Sequence, residues 1–171
     1  RHLPLVDELG HRPVCVIEEA DPGRAAGALA HARGRNALLE ARDIRNTYFS
    51  RPRKAEMTPH GFKLSGGNSI HHREMQRGVF EPEETRIIRR QLDQARVFVD
   101  VGANIGFYTC LSRSLDKHVV AIEPLQHNLN HLYANLLANR WNDVEVYPVG
   151  LSDRPGLATL YGASMTGASL I

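Results

Sequence analysis

The stretch Val97–Cys110, VFVDVGANIGFYTC, constrains the chain more than any other. Val97, Phe98, Val99 and Val101 form a short apolar run rich in β-branched residues, which predicts a strand buried on both faces. Gly102, Asn104 and Gly106 break that run, and from Phe107 to Leu115 the apolar spacing turns helical. Strand, glycine turn and helix in this order bring unpaired backbone N–H groups and the positive end of a helix dipole to one point. An anionic ligand group suits such a point. Asp100, at the mouth of the turn, shifts the balance: a pyrophosphate is repelled there and a cationic group attracted.

The chain alternates regularly on either side of this turn. Upstream, Glu81-Pro82-Glu83-Glu84 opens a helix running to about Gln94, with Ile87, Ile88 and Leu92 as its apolar stripe. Downstream, Val119–Glu123 reads as a second buried strand ending in an acid. Leu129, Leu132, Tyr133, Leu136 and Leu137 then follow helical spacing and predict an amphipathic helix. Val144–Val149 reads as a third strand despite Pro148, Ser152–Gly156 as a turn, and Ala158–Tyr161 as a fourth, antiparallel strand. The fold class expected is α/β: a partial Rossmann-like, doubly wound sheet with right-handed crossovers. Three parallel strands do not cover both faces of the first, so further strands are expected after Ile171, and the chain reads as C-terminally truncated. Such a chain is expected to be inactive alone and to self-associate through an unpaired strand edge.

Before the turn the pattern is looser. Residues 1–57 read as a mostly helical or irregular N-terminal extension, or as a separate small domain. Within them Val14–Ile17 suits a short strand, Asp21-Pro22-Gly23 a turn, and Arg24–Arg33 and Asn36–Arg45 suit helices weakened by Gly27 and Gly34. Residues 58–171 read as the N-terminal half of the α/β domain. At its start, Gly61–Leu64 and the segment around Ile70 flank Ser65-Gly66-Gly67-Asn68-Ser69, which predicts a β-hairpin. His71 and His72 on such a strand would face opposite ways, which makes them a poor metal pair. No metal site is expected.

Bulk properties exclude several classes. The 171 residues suit one domain, and 42% hydrophobic with 23% charged residues is ordinary for a globular protein. Residues 1–96 carry 17 Lys and Arg against 13 Asp and Glu, whereas residues 97–171 carry 4 against 6. The basic excess is scattered and not interleaved with aromatics, so no nucleic-acid partner is expected. No apolar run approaches the roughly 20 residues of a membrane span. Two cysteines, Cys15 and Cys110, make neither a disulfide framework nor a metal site and suit a reducing, cytoplasmic setting.

Two ligand classes use a glycine turn after a first strand. The dinucleotide fingerprint, G-x-G-x-x-G, has its third glycine where this chain has Phe107, whose ring obstructs close helix packing and pyrophosphate approach. S-adenosylmethionine instead carries an ammonium, a cationic sulfonium and a ribose diol. Asp100 near the ammonium, glycines beneath the amino-acid moiety and Glu123 accepting from both ribose hydroxyls match those groups. Glu81, at the start of the preceding helix, is a further acid placed to face the site, and each acid has a plainer role open to it: Asp100 as a helix cap, Glu123 as a surface charge and Glu81 as a helix-terminus charge. Asn104 is compatible with a left-handed backbone.

The runs VDVGANIGFYT, AIEPLQHNL and GLSDRPG, together with GVFEPEE before them, resemble the FkbM family of class I S-adenosylmethionine-dependent methyltransferases over about Gly61–Ile171. The resemblance implies that Asp100, Gly102, Ala103, Asn104 and Gly106 line the methionine end of the cofactor. Glu123 would hold the ribose, with Pro124 beside the adenine and Ser152 and Asp153 reaching its edge. It further implies O-methylation of a hydroxyl on a saccharide or secondary metabolite. The family's KIDVEG-like segment has no counterpart in this chain, so the base and the acceptor pocket are expected beyond Ile171. Two alternatives stand beside this reading: an NAD(P)-binding oxidoreductase, and a non-catalytic binding module of a larger modular enzyme.

Overall fold

The computed structural model describes residues 14–19, 52–66, 70–153, 155–161 and 169–170. The expected turn at Asp21–Gly23 and the expected helices at 24–33 and 36–45 lie outside them. The described elements are β1 (Val14–Glu19), β2 (Glu56–Met57), β3 (Lys63–Leu64), α1 (Ile70–Arg77), α2 (Pro82–Leu92) and β4 (Val97–Val101), followed by α3 (Phe107–Ser114), β5 (His118–Ile122), α4 (Gln126–Ala138), β6 (Glu145–Tyr147), β7 (Gly150–Leu151), β8 (Gly156–Tyr161) and β9 (Ser169–Leu170). The architecture is mixed α/β, and no helix among the described residues is long and apolar enough to cross a membrane.

The central sheet is parallel, in the order β4-β5-β6. Asp100 stands opposite Ala121, and Val101 opposite Ile122. Because side chains alternate along a strand, this register gives the sheet two distinct faces. Val119 and Ala121 point into the core with Leu111 of α3 and Leu129, Leu132 and Leu136 of α4. The other face is open among the described residues: Val97, Val99 and Val101 are 52%, 53% and 60% exposed. The expectation of a strand buried on both faces is therefore corrected. β4 is an edge strand of this sheet among the described residues, and α3 packs across β4 and β5 on one side.

Two further corrections concern the approach to the sheet. The hairpin pairs β2 with β3, antiparallel, around Thr58-Pro59-His60-Gly61. The Thr58 N–H and hydroxyl both donate to the Phe62 carbonyl at 2.8 Å, and Gly61 takes φ 90°. Proline followed by a left-handed glycine is turn chemistry, and it wins over the glycine-rich 65–69 segment. Ile70 opens a helix, so His71 and His72 are about 100° apart around α1 rather than on opposite strand faces. His72 is buried against His131, while His71 pairs with Glu74 at the surface.

On α4 the inward face is partly polar. Leu129, Leu132 and Leu136 are buried as expected, but Tyr133 and Leu137 are 48% and 79% exposed. Their places are taken by His127, Asn128, His131 and Asn135. Asn135 explains its own burial: it accepts from the Ser65 N–H at 2.6 Å and donates to the carbonyls of Ser65 and Ile105. One side chain thus ties β3, α4 and the glycine turn together.

The strands beyond Tyr147 form a second sheet together with β1, in the order β7-β1-β8-β9. The strand expected at Ala158–Tyr161 is β8, but it does not add to the central sheet: it runs parallel to β1 and antiparallel to β9 in this second sheet.

Candidate functional site

The turn after β4 is built from three left-handed residues, Gly102 (φ 79°), Asn104 (φ 52°) and Gly106 (φ 88°). Glycine accepts this conformation freely, and asparagine does so better than most residues. The turn is pinned to the end of β5, because the Gly102 and Ala103 N–H groups both donate to the Ile122 carbonyl. The Asn104 N–H donates to Glu123 Oε2 at 2.7 Å. Gly106 caps α3, and a Cβ there would collide with Leu132 Cδ1 of α4. Its smallness serves helix packing.

Glu123 is 3% exposed. Besides Asn104 it accepts from the Leu125 N–H at 2.9 Å and from Asn128 Nδ2 at 3.1 Å, both on Oε1. A carboxylate offers about four acceptor directions, so about one remains for a ligand. Accepting two hydroxyls at once, as expected from the sequence, requires one of these protein donors to let go. The surface role is excluded by burial.

Asp100 is 8% exposed and accepts from Thr109 Oγ1 at 2.5 Å. The N-cap position of α3 is Gly106, yet Asp100 also accepts from the backbone N–H of Thr109 in the first turn of α3, so it does take part in capping the helix while lining a cavity. Burial pushes the Asp100 carboxyl above the usual carboxylate range; the bonds from Thr109 oppose this and the nearby Glu123 charge adds to it. Burial likewise pushes the Cys110 thiol up, with the Asp100 charge adding to it, which leaves it unreactive within the core.

These residues wall a cavity of about 350 Å³, a size that suits a cofactor or small metabolite. Asp100, Gly102, Ala103, Asn104, Glu123 and Pro124 all line it. Gly106 does not, for the packing reason given above. Ser152 and Asp153 do not line it either; they bond to each other after β7, with Asp153 exposed. Phe107 forms part of the wall and stacks edge-on with Phe62 and Phe80, so the ring expected to obstruct a dinucleotide also anchors α3.

Among the lining residues outside the expected cofactor set, four bear on the chemistry, and Glu81, which the sequence left between facing the site and a helix-terminus charge, lines the cavity. Leu125 and Asn128 come from the start of α4, Glu81 from the start of α2 and Tyr108 from α3. The Tyr108 hydroxyl donates to Glu81 Oε2 at 2.9 Å, and burial holds that phenol well above its ordinary pKa, so it stays a donor. Asn128 had a legible signal: it follows the IEP run and falls on the inward face of α4, one turn before Leu132. The charged residues lining this cavity are Glu81, Asp100 and Glu123, and no Lys, Arg or His lines it among the described residues. A wall of this sign favours a cation and repels a phosphate.

Compared with family models, curated proteins and solved structures, the chain matches none.

Proposed function

We propose that this chain supplies the cofactor-binding part of an S-adenosylmethionine-dependent O-methyltransferase of the FkbM type, with a class I, Rossmann-like core. The observation that carries the reading is the joining of the left-handed turn to Glu123 through Asn104, at the wall of a cavity charged by carboxylates. A sulfonium cofactor with an ammonium, a diol and no phosphate suits that wall. Pro124 and Leu125 give it an apolar flank for a purine, and Glu123 keeps an acceptor direction for a ribose hydroxyl.

S-adenosylmethionine, when bound, supplies a methyl group activated by a positively charged sulfur. The residues of this chain then hold and orient: transfer to a hydroxyl depends on alignment, and the glycine turn and Glu123 set one side of it. The acceptor class that fits the resemblance is a hydroxyl on a saccharide or a secondary metabolite. Calorimetric titration separates this reading from a nicotinamide enzyme. S-adenosylhomocysteine is expected to bind and NADH not to bind; the reverse result would overturn the proposal.

A further inference from the structure

The parallel ladder between β4 and β5 fixes which backbone groups of β4 are already used. The Arg96 carbonyl accepts from the His118 N–H, and the Gly102 N–H donates to the Ile122 carbonyl. Because backbone direction alternates along a strand, the even-numbered residues turn their N–H and C=O toward β5. Val97, Val99 and Val101 turn theirs to the outer edge, where β4 pairs with no strand among the described residues. The side chains of the same three valines are exposed on the open face of the sheet. β4 carries no proline or lysine to blunt this edge.

The edge is complementary to itself. A two-fold axis normal to the sheet at Val99 sets Val97 opposite Val101, Val99 opposite Val99 and Val101 opposite Val97 of a second copy. In an antiparallel ladder each of these is a hydrogen-bonded pair, so every outward N–H and C=O of the three valines finds a partner. The valines also lie side by side on one face, β-branched against β-branched. Charge agrees with the same register. Arg96 is exposed, and it falls opposite Gly102 and diagonal to Asp100 of the second copy. It thus brings a cation to a cavity whose charged lining residues are all carboxylates.

We propose that β4 is a docking edge for a second copy of this chain, paired antiparallel about Val99 into a continuous sheet ordered β6-β5-β4-β4-β5-β6. The self-association expected of an open edge thereby acquires a register. Three valines per copy bury far less than the roughly 800 Å² per partner of stable complexes. Main-chain hydrogen bonds therefore carry the affinity, and the dimer dissociates on dilution. The inference is independent of what the cavity binds.

The test is sedimentation of the 171-residue chain across a concentration series, beside V99K and L137K. The second variant is the control, adding the same charge at an apolar residue exposed on α4. Thermal melts check that both fold. V99K sets two like charges directly opposite each other and is expected to raise the dissociation constant about tenfold or more, with L137K within about twofold of the parent. Oxidation of cysteine variants reads the register, with the oxidised parent giving the background from Cys15 and Cys110. Opposed residues of a hydrogen-bonded pair lie about 5.5 Å apart between Cα atoms, within disulfide range. The two copies of position 97 lie about 14 Å apart along the strands. V99C is therefore expected to give a disulfide-linked dimer, V97C and V101C none singly, and V97C mixed with V101C a linked pair. A parent chain that stays monomeric at every concentration, as it would if another segment of the same chain covered β4, would overturn the proposal. Equal losses in V99K and L137K, or linkage of V97C alone as readily as V99C, would overturn it too.

Discussion

The Asn104 N–H and Glu123 Oε2 meet at 2.7 Å across 19 residues of chain, binding the left-handed turn after β4 to the residue that follows β5. One carboxylate therefore shapes the turn, accepts from the Leu125 N–H just before α4 and from the Asn128 side-chain amide within it, and lines the cavity. The shape of the turn and the wall of the cavity are coupled at this residue.

Glu123→Ala is expected to weaken S-adenosylhomocysteine by about 1.5–3 kcal/mol, the scale of a hydrogen-bonded charge. It also leaves the Asn104 and Leu125 N–H groups and the Asn128 amide without their acceptor. Urea unfolding should therefore show a loss of about 2 kcal/mol or more. Unchanged stability and unchanged binding would remove Glu123 from both roles.

Gly106→Ala is expected to cost about 1–2 kcal/mol for its positive φ alone, and more from the displacement of Leu132. Asn104→Gly should cost less than Gly106→Ala, because glycine accepts φ 52° while the Asn104 Oδ1 bond to the Ile105 N–H is lost, at about 1 kcal/mol. Thermal melts of the two variants, compared side by side, check the order.

The elements around this turn were legible because their signals are local. β-branched runs mark β4 and β5, the left-handed positions of the turn itself carry glycine or asparagine, and a proline sits at the start of α2. What was not legible depends on neighbours. Val97, Val99 and Val101 read the same whether or not anything covers them, so their exposure could not be read from composition. α1 has a polar sequence, and its burial of His72 and Met75 follows from tertiary packing. The inward polar face of α4 left a trace in the i, i+4 spacing of His127, His131 and Asn135, but only the position of Ser65 and Ile105 makes that face worth burying.

Asn135→Ala tests that last point. The Ser65 N–H and the Ser65 and Ile105 carbonyls all lose their side-chain partner. Unsatisfied buried groups of this kind should cost about 2–4 kcal/mol in urea unfolding. A loss under about 1 kcal/mol would show that water replaces the amide.

His127 makes the stability depend on pH. Burial, with the adjacent His131 adding to it, lowers its pKa from the ordinary 6.5 to about 4; the two rings lie 4.9 Å apart. Between these values the unfolded chain binds the proton and the folded one does not, so stability is full above pH 6.5 and falls as pH drops toward 4. Screening by solvent reduces the expected loss to about 1–2 kcal/mol. Unfolding free energies at several pH values, for the parent chain and His127→Gln, should show a shallower slope in the variant. Equal slopes would assign the effect elsewhere.

The central claim is that a sulfonium-type cofactor occupies the turn between β4 and α3. Amide chemical shifts on addition of S-adenosylhomocysteine test it most directly. The account predicts saturable changes largest at Gly102, Asn104 and Leu125, with Ser152 and Asp153 little affected. Changes absent from the Gly102–Asn104 turn, or produced there by NADH and not by S-adenosylhomocysteine, would contradict it.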